Sequence, residues 1–183
     1  MGSLSIQKGK RAERQVAGLL NVVVERVCSK LGVDIQRLKR NLSQTQQGGF
    51  DLEGLDWIAI EIKHHAKPQM NSWWQQTLQQ AGPKPLDTTT GASETPLHPT
   101  SLQGGSGHHY KGVGGLYRRE PVLIWKTNGG QWQVRMFGRL EIEPGRRLRV
   151  VTNISMDDFL AWFERRVEVE IKSDLGGAIG LFD

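Results

Sequence analysis

The 183-residue chain has a single cysteine, so its sequence excludes a disulfide framework and a metal cage made of thiolates. Cys28 follows Val24 by four positions on an apolar helical face, which favours a core thiol over a nucleophile. No hydrophobic run approaches the length of a membrane span, and the first residues lack the apolar centre of a signal peptide. These absences predict a soluble cytoplasmic protein with no membrane partner.

Acidic residues are outnumbered by basic ones, 19 against 24, which gives a formal net charge of +5. This balance favours a polyanionic partner. Basic residues are concentrated between Arg135 and Arg149 and in residues 1–40, where nine cations stand against three acids. The two basic blocks either flank one duplex or form two solvated faces. The nine cations are Lys8, Lys10, Arg11, Arg14, Arg26, Lys30, Arg37, Lys39 and Arg40.

The first half of the chain predicts a helix followed by strands. Apolar residues recur at three- and four-residue steps from Gln7 to Leu31, which predicts an amphipathic helix that Gly32 ends. The segment 34–45 fits either an edge strand or an irregular basic segment. Further predicted elements are a strand at 50–53, a turn at 54–56, a strand at 57–63 and a helix capped by Asn71 or Ser72 that runs to Ala81.

The second half begins with the least regular part of the chain, residues 84–119, which is predicted to be a functional or mobile insertion. Its His108 and His109 have no partner at metal-ligand spacing, so a histidine zinc site is not expected. Further predicted elements are a hairpin over 121–137, a strand at 147–152, a helix capped by Ser155 or Asp157 that runs to Arg165, a short strand at 167–171 and a loose glycine-rich tail.

The segment that carries chemistry joins Asp51 to the strand of residues 57–63. Alternation directs Ile58, Ile60 and Ile62 to one face of this strand and places Glu61 and Lys63 together on the other. Carboxylates on adjoining strands can share a divalent metal, and a lysine beside them can orient a water or stabilise negative charge.

Glu13 adds a further acid within the apolar stripe of the first helix, three positions before Val16 and seven before Leu20. A buried carboxylate is costly unless it is paired or binds a metal. Glu13 is therefore a candidate metal ligand. The alternative is a helix-start acid paired with Arg11 or Arg14.

These motifs resemble the PD-(D/E)xK nuclease superfamily, and within it the Holliday-junction-resolvase-like nucleases of archaea and phages. The resemblance covers about residues 7–82 and 120–137. It is carried by Lys8-Gly9-Lys10-Arg11-Ala12-Glu13-Arg14, by Gly49-Phe50-Asp51, by Ile60-Glu61-Ile62-Lys63, by Trp73-Trp74-Gln75-Gln76 and by Pro121-Val122-Leu123. The chain departs from related exonucleases where Gln76 is followed four residues later by Gln80 instead of tyrosine.

The resemblance implies an α/β fold with a restriction-endonuclease-like αβββαβ core, a central mixed sheet flanked by helices. The predicted organisation is a nuclease core over residues 1–137, with the flexible insertion at 84–119, and a C-terminal helical extension over 138–183 packed on that core. The resemblance covers neither the insertion nor the extension. It also implies a Mg²⁺ or Mn²⁺ site built from Glu13, Asp51 and Glu61 with the Ile62 carbonyl as a further ligand. Lys63 would be the catalytic lysine, and Gln76 is a candidate site residue.

The resemblance further implies a homodimeric endonuclease that acts on branched DNA in recombination. If the protein is phage-encoded, it would act in the host cytoplasm. Two alternatives remain: a structure-specific or restriction-like nuclease, and a non-catalytic nucleic-acid-binding or assembly protein. The residues expected to contact DNA are Lys8, Lys10, Arg11, Arg14, Lys39, Arg40, His64 and Lys67.

Overall fold

The computed structural model describes residues 2–35, 37–42, 49–82 and 117–179 of the chain. Three helices and six strands are present in this part. In chain order they are α1 (Gly2–Leu31), β1 (Lys39–Arg40), β2 (Leu52–Glu53), β3 (Ile58–His64), α2 (Met70–Ala81), β4 (Glu120–Lys126), β5 (Gln133–Glu143), β6 (Arg146–Ser155) and α3 (Met156–Ile179).

The strands form an α/β fold around a mixed four-stranded sheet in the order β3-β4-β5-β6. Strand β3 is parallel to β4, while β5 is antiparallel to both of its neighbours. A parallel pair needs a crossover, and the crossover between β3 and β4 contains α2. In the described residues of the ambiguous segment 34–45, the regular structure is the two-residue strand β1, which pairs with β2. Asp51 N–H donates to Ile60 O at 2.9 Å and thereby attaches β2 to the free side of β3.

The larger core lies between the sheet and the helices α1 and α3. The predicted stripe of α1 is buried there, since Val16, Leu20, Val24 and Val27 are each at most 1% exposed. These residues pack with the isoleucines of β3 and with Phe159 and Phe163 of α3. Cys28 lies in the same cluster, as expected for a core thiol. The amphipathic pattern of α1 is therefore confirmed.

The opposite face of the sheet is covered by α2, whose Trp73 and Trp74 pack against Leu123 of β4. The predicted helix is confirmed, but its predicted cap is wrong. The helix is preceded by Gln69, which makes no side-chain capping bond, and the Ser72 hydroxyl donates to Gln69 O at 3.0 Å instead of accepting from the helix.

Helix α3 corrects two expectations about the end of the chain. The strand predicted at 167–171 is helical, and the glycine-rich tail is helical as far as Ile179. The alternating valines and glutamates also suit a helix, because Val167 lies one turn after Phe163 and both are buried. Arg26 of α1 pairs with Glu164 of α3 at 2.7 Å. This contact joins distant parts of the chain, so the local sequence pattern could not predict it. The predicted Ser155 cap is confirmed, since its hydroxyl accepts from Asp158 N–H at 3.1 Å.

The predicted hairpin over 121–137 is confirmed by β4 and β5, and β5 continues beyond it to pair with β6. The expected boundary between residues 137 and 138 falls inside β5. Most of the expected insertion, residues 84–116, lies outside the described residues. No helix in the described part is long and apolar enough to cross a membrane.

Candidate functional site

Strand β3 presents Glu61 and Lys63 on the side of the sheet covered by α2. Its isoleucines occupy the α1 side, as the alternation predicts. Glu61 stands beside Leu123 in the parallel pairing with β4, and Lys63 stands beside Trp125. The Glu61 side chain is only 1% exposed, whereas that of Lys63 is 19% exposed. The strand therefore buries the Glu61 carboxylate and leaves the Lys63 side chain partly accessible to solvent.

The Glu61 carboxylate carries a buried charge with incomplete compensation. Lys63 Nζ contacts Glu61 Oε1 as an ion pair. Neither Glu61 oxygen, however, has a well-oriented hydrogen-bond donor among the described residues. Burial raises the pKa of Glu61 above its ordinary range, while Lys63 and the side-chain amide of Gln80 oppose this rise. Such a carboxylate is a ready oxygen ligand for a hard cation.

Asp51 is held next to Glu61 by the backbone of β3. Its Oδ2 atom accepts the Ile62 N–H at 2.5 Å, and its own N–H donates to Ile60 O. The Asp51 side chain is buried, at 5% exposed. Asp51 is thus bonded to the two residues of β3 that flank Glu61. The participation of the Ile62 carbonyl stays a prediction.

Glu13 approaches this site from α1, and its negative charge raises the pKa of Glu61 further. Its own partner is Arg40 of β1, not Arg11 or Arg14, because its Oε2 accepts the Arg40 Nε–H. In the part of the chain that the structure describes, no three acidic, histidine or cysteine side chains stand close enough to hold one metal ion. A metal bound by Glu13 as well as Asp51 and Glu61 would therefore require Glu13 to release Arg40.

On α2, the side chain that acts on the Glu61 carboxylate is Gln80. Its Oε1 atom is buried without a donor among the described residues. Sequence analysis favours Gln76, one helical turn earlier, for which a role in the site stays a prediction. The only available signal for Gln80 was its position four residues after Gln76 on the same helical face.

A basic pocket of about 730 Å³ lies at the other side of the β3 end, between α1 and the ends of β3 and β4. Of the residues expected to bind DNA, Lys39, Arg40 and Lys67 do not line it, and Arg40 is instead engaged by Glu13. The sequence analysis missed Lys126, which only the pairing of β3 with β4 brings there. The ionisable side chains that line the basic pocket are Lys8, Lys10, Arg11, Arg14, His64 and Lys126.

The basic pocket has a strongly positive environment. Partial burial lowers the pKa of His64, and the charges of Lys8 and Lys126 lower it further. Lys126 is positioned by Gln15, to which its Nζ donates at 3.2 Å, and by the ring of Trp132, whose centroid lies 4.4 Å from that Nζ. No acidic side chain is among the residues that line the basic pocket. The arrangement suits an anionic ligand.

Comparison of the chain with protein-family models, with curated proteins and with solved structures finds no match. The interpretation of the site therefore depends on its geometry and on the motifs of the sequence.

Proposed function

We propose that the protein is a metal-dependent nuclease that hydrolyses phosphodiester bonds in DNA. The observation that carries this proposal is the buried Glu61 carboxylate, which lacks a well-oriented donor yet lies beside Lys63 and next to Asp51. A buried charge with this little compensation costs folding stability, and such costs are characteristic of functional sites. The order α1, β1, β2, β3, α2, β4 supports a restriction-endonuclease-like αβββαβ core.

Asp51 and Glu61 fit a divalent cation, Mg²⁺ or Mn²⁺, because both offer buried carboxylate oxygens in neighbouring positions. Glu13 and the Ile62 carbonyl are further candidate ligands. When bound, such a cation supplies charge neutralisation at the phosphoryl group and lowers the pKa of a coordinated water.

The chain's own residues contribute orientation and charge. The Lys63 ammonium lies on the same face as Glu61, where it can hold a water or stabilise negative charge that develops on a phosphate. The Ile62 N–H fixes one oxygen of Asp51, which orients the other. The side-chain amide of Gln80 on α2 lowers the pKa of Glu61 and so favours the ionised carboxylate.

The basic pocket supports DNA as the polyanionic substrate. A preference for branched DNA, a homodimeric state and a role in recombination rest on the motif resemblance. We place the activity in the cytoplasm, which for a phage-encoded protein is that of the host. The alternative to a nuclease for branched DNA in recombination is a structure-specific or restriction-like nuclease with the same site.

A second candidate function is nucleic-acid binding without cleavage, either alone or within an assembly. The observation that favours it is the internal neutralisation of the acids: Glu13 pairs with Arg40 and Glu61 with Lys63, while no three ligand-type side chains converge among the described residues. In this case the basic pocket would keep its role and the carboxylates would be structural.

A cleavage assay with Mg²⁺ or Mn²⁺ separates the two candidates. Four-way junction, flap, linear duplex and single-stranded DNA serve as substrates for wild type and for Asp51→Asn, Glu61→Gln and Lys63→Met. We expect metal-dependent cleavage by wild type and a loss of about 100-fold or more in each variant. Glu53→Gln is the matched control, because Glu53 is an exposed acid on β2, and it should cleave normally. Full activity in the three site variants would refute the proposed site.

A further inference from the structure

The end of β3 places two consecutive side chains on opposite faces of the sheet. Lys63 lies with Glu61 on the α2 face, while His64 lines the basic pocket on the α1 face and approaches Trp132, with ring centroids 6.3 Å apart. The following residue, His65, returns to the α2 face, where its ring centroid is 5.2 Å from that of Trp73. The candidate catalytic site and the basic pocket thus lie on opposite faces of the sheet at the end of β3.

The basic pocket has the dimensions of a nucleotide-sized ligand and not of a duplex. Its volume of about 730 Å³ is within the usual range of small-ligand pockets. Five of its lining side chains are lysines or arginines, and they come from one helix and from the end of β4. Cations gathered in a concave site repel one another, so an anion that enters between them is attracted strongly. Consecutive phosphates of one nucleic-acid strand meet this requirement.

Rigid duplex DNA could not follow a path between the two sites. To lie against Lys63 on one face and in the basic pocket on the other, a backbone must turn around the end of β3. Duplex DNA has a persistence length of about 150 base pairs, so it resists a sharp turn of this kind. A single strand bends freely, and proteins commonly bind it in a basic groove.

We propose that the basic pocket holds the phosphates of a single strand that continues from the phosphate at Lys63, so that the substrate carries a single-stranded segment next to the bond that is cut. This inference rests on the proposed function for the position of the cut phosphate. It selects, among the branched and linear DNAs considered above, those with a free strand at the cleavage position. The recognition is by phosphate charge and strand flexibility and does not depend on base sequence.

The test is DNA binding by the full chain in EDTA, followed by fluorescence anisotropy at salt concentrations from about 50 to 200 mM. The ligands are an oligothymidylate, a blunt duplex with the same number of phosphates, and that duplex with an oligothymidylate tail. Wild type should bind the single strand and the tailed duplex more tightly than the blunt duplex. The double variant Arg11→Gln/Lys126→Gln should lose this preference.

The salt dependence gives the expected size of the effect. Each phosphate contact to a single strand contributes about 0.7 to the slope of log affinity against log salt, so the double variant should lose about 1.4. Over a fourfold change in salt this difference amounts to about sevenfold in affinity. The matched control is Arg165→Gln/Lys172→Gln, which removes the same charge from exposed residues of α3 outside the basic pocket and should keep the wild-type preference.

Equal binding of the blunt duplex and the single strand by wild type would overturn the inference. Pocket variants that bind like the control variant would also overturn it, provided that their melting temperature is unchanged. Failure of the proposed function is distinguishable, because it would appear as absent cleavage with Mg²⁺ or Mn²⁺. The binding measured in EDTA tests the role of the basic pocket independently of cleavage.

Discussion

Replacement of Glu61 by glutamine should stabilise the fold while it abolishes cleavage. The wild-type carboxylate is buried, and neither of its oxygens has a well-oriented donor among the described residues. In Glu61→Gln the new amide nitrogen can donate to Gln80 Oε1, a buried acceptor that has no donor in the described part. The new side chain has nearly the same volume, so the packing around it against α2 is retained.

The gain follows from the groups involved. A buried polar group without a hydrogen bond costs about 1–3 kcal/mol. Lys63 loses its ion-pair partner in the variant, but its side chain is 19% exposed and can reach solvent. We therefore expect a net gain of about 1–2 kcal/mol, towards the lower end of that range. For a chain of this length, that gain corresponds to a rise of about 2–8 °C in the melting temperature.

The assay is thermal unfolding of wild type and Glu61→Gln in EDTA, across a series of pH values. Because burial raises the folded-state pKa of Glu61, the ionised carboxylate costs stability above that pKa, and wild type regains this stability as pH falls through it. The advantage of Glu61→Gln should therefore be largest at neutral pH and shrink in acid. Glu53→Gln, at an exposed acid, should melt like wild type throughout. A lower melting temperature for Glu61→Gln at neutral pH would refute the reasoning.

Two further predictions concern the fold. Gly54→Ala should destabilise the protein by more than about 1 kcal/mol, because Gly54 has φ +119° and an added Cβ would stand 2.8 Å from Arg37 O. Gly18→Ala should instead stabilise the protein by about 0.5–1 kcal/mol, because an added Cβ meets nothing within 4 Å on this exposed face of α1. Urea unfolding measures both changes, and stability changes of the same sign at the two sites would contradict this reasoning. Phe159→Ala should cost about 3–5 kcal/mol, since Phe159 is fully buried between α3 and the sheet, whereas the exposed Val169→Ala should change urea stability little.

Local periodicity was sufficient to predict several parts of the fold. The three- and four-residue spacing of Val16, Leu20 and Val24 indicated the buried face of α1, because successive helical residues turn by a fixed angle. Period-two alternation likewise placed Glu61 and Lys63 on one face of β3. Where two periods fit the same residues, as at 167–171, sequence analysis chose the strand and the structure has a helix.

The sequence by itself determined which side chains share a face of an element, since that depends only on the repeat of the backbone. Only the tertiary structure decided which elements meet. It brought Lys126 to the basic pocket beside α1, paired Glu13 with Arg40, and placed Gln80 where its amide lowers the pKa of Glu61. The physical reason is that these contacts join residues far apart in the chain, where packing of the whole core fixes the distances and local spacing carries no information about them.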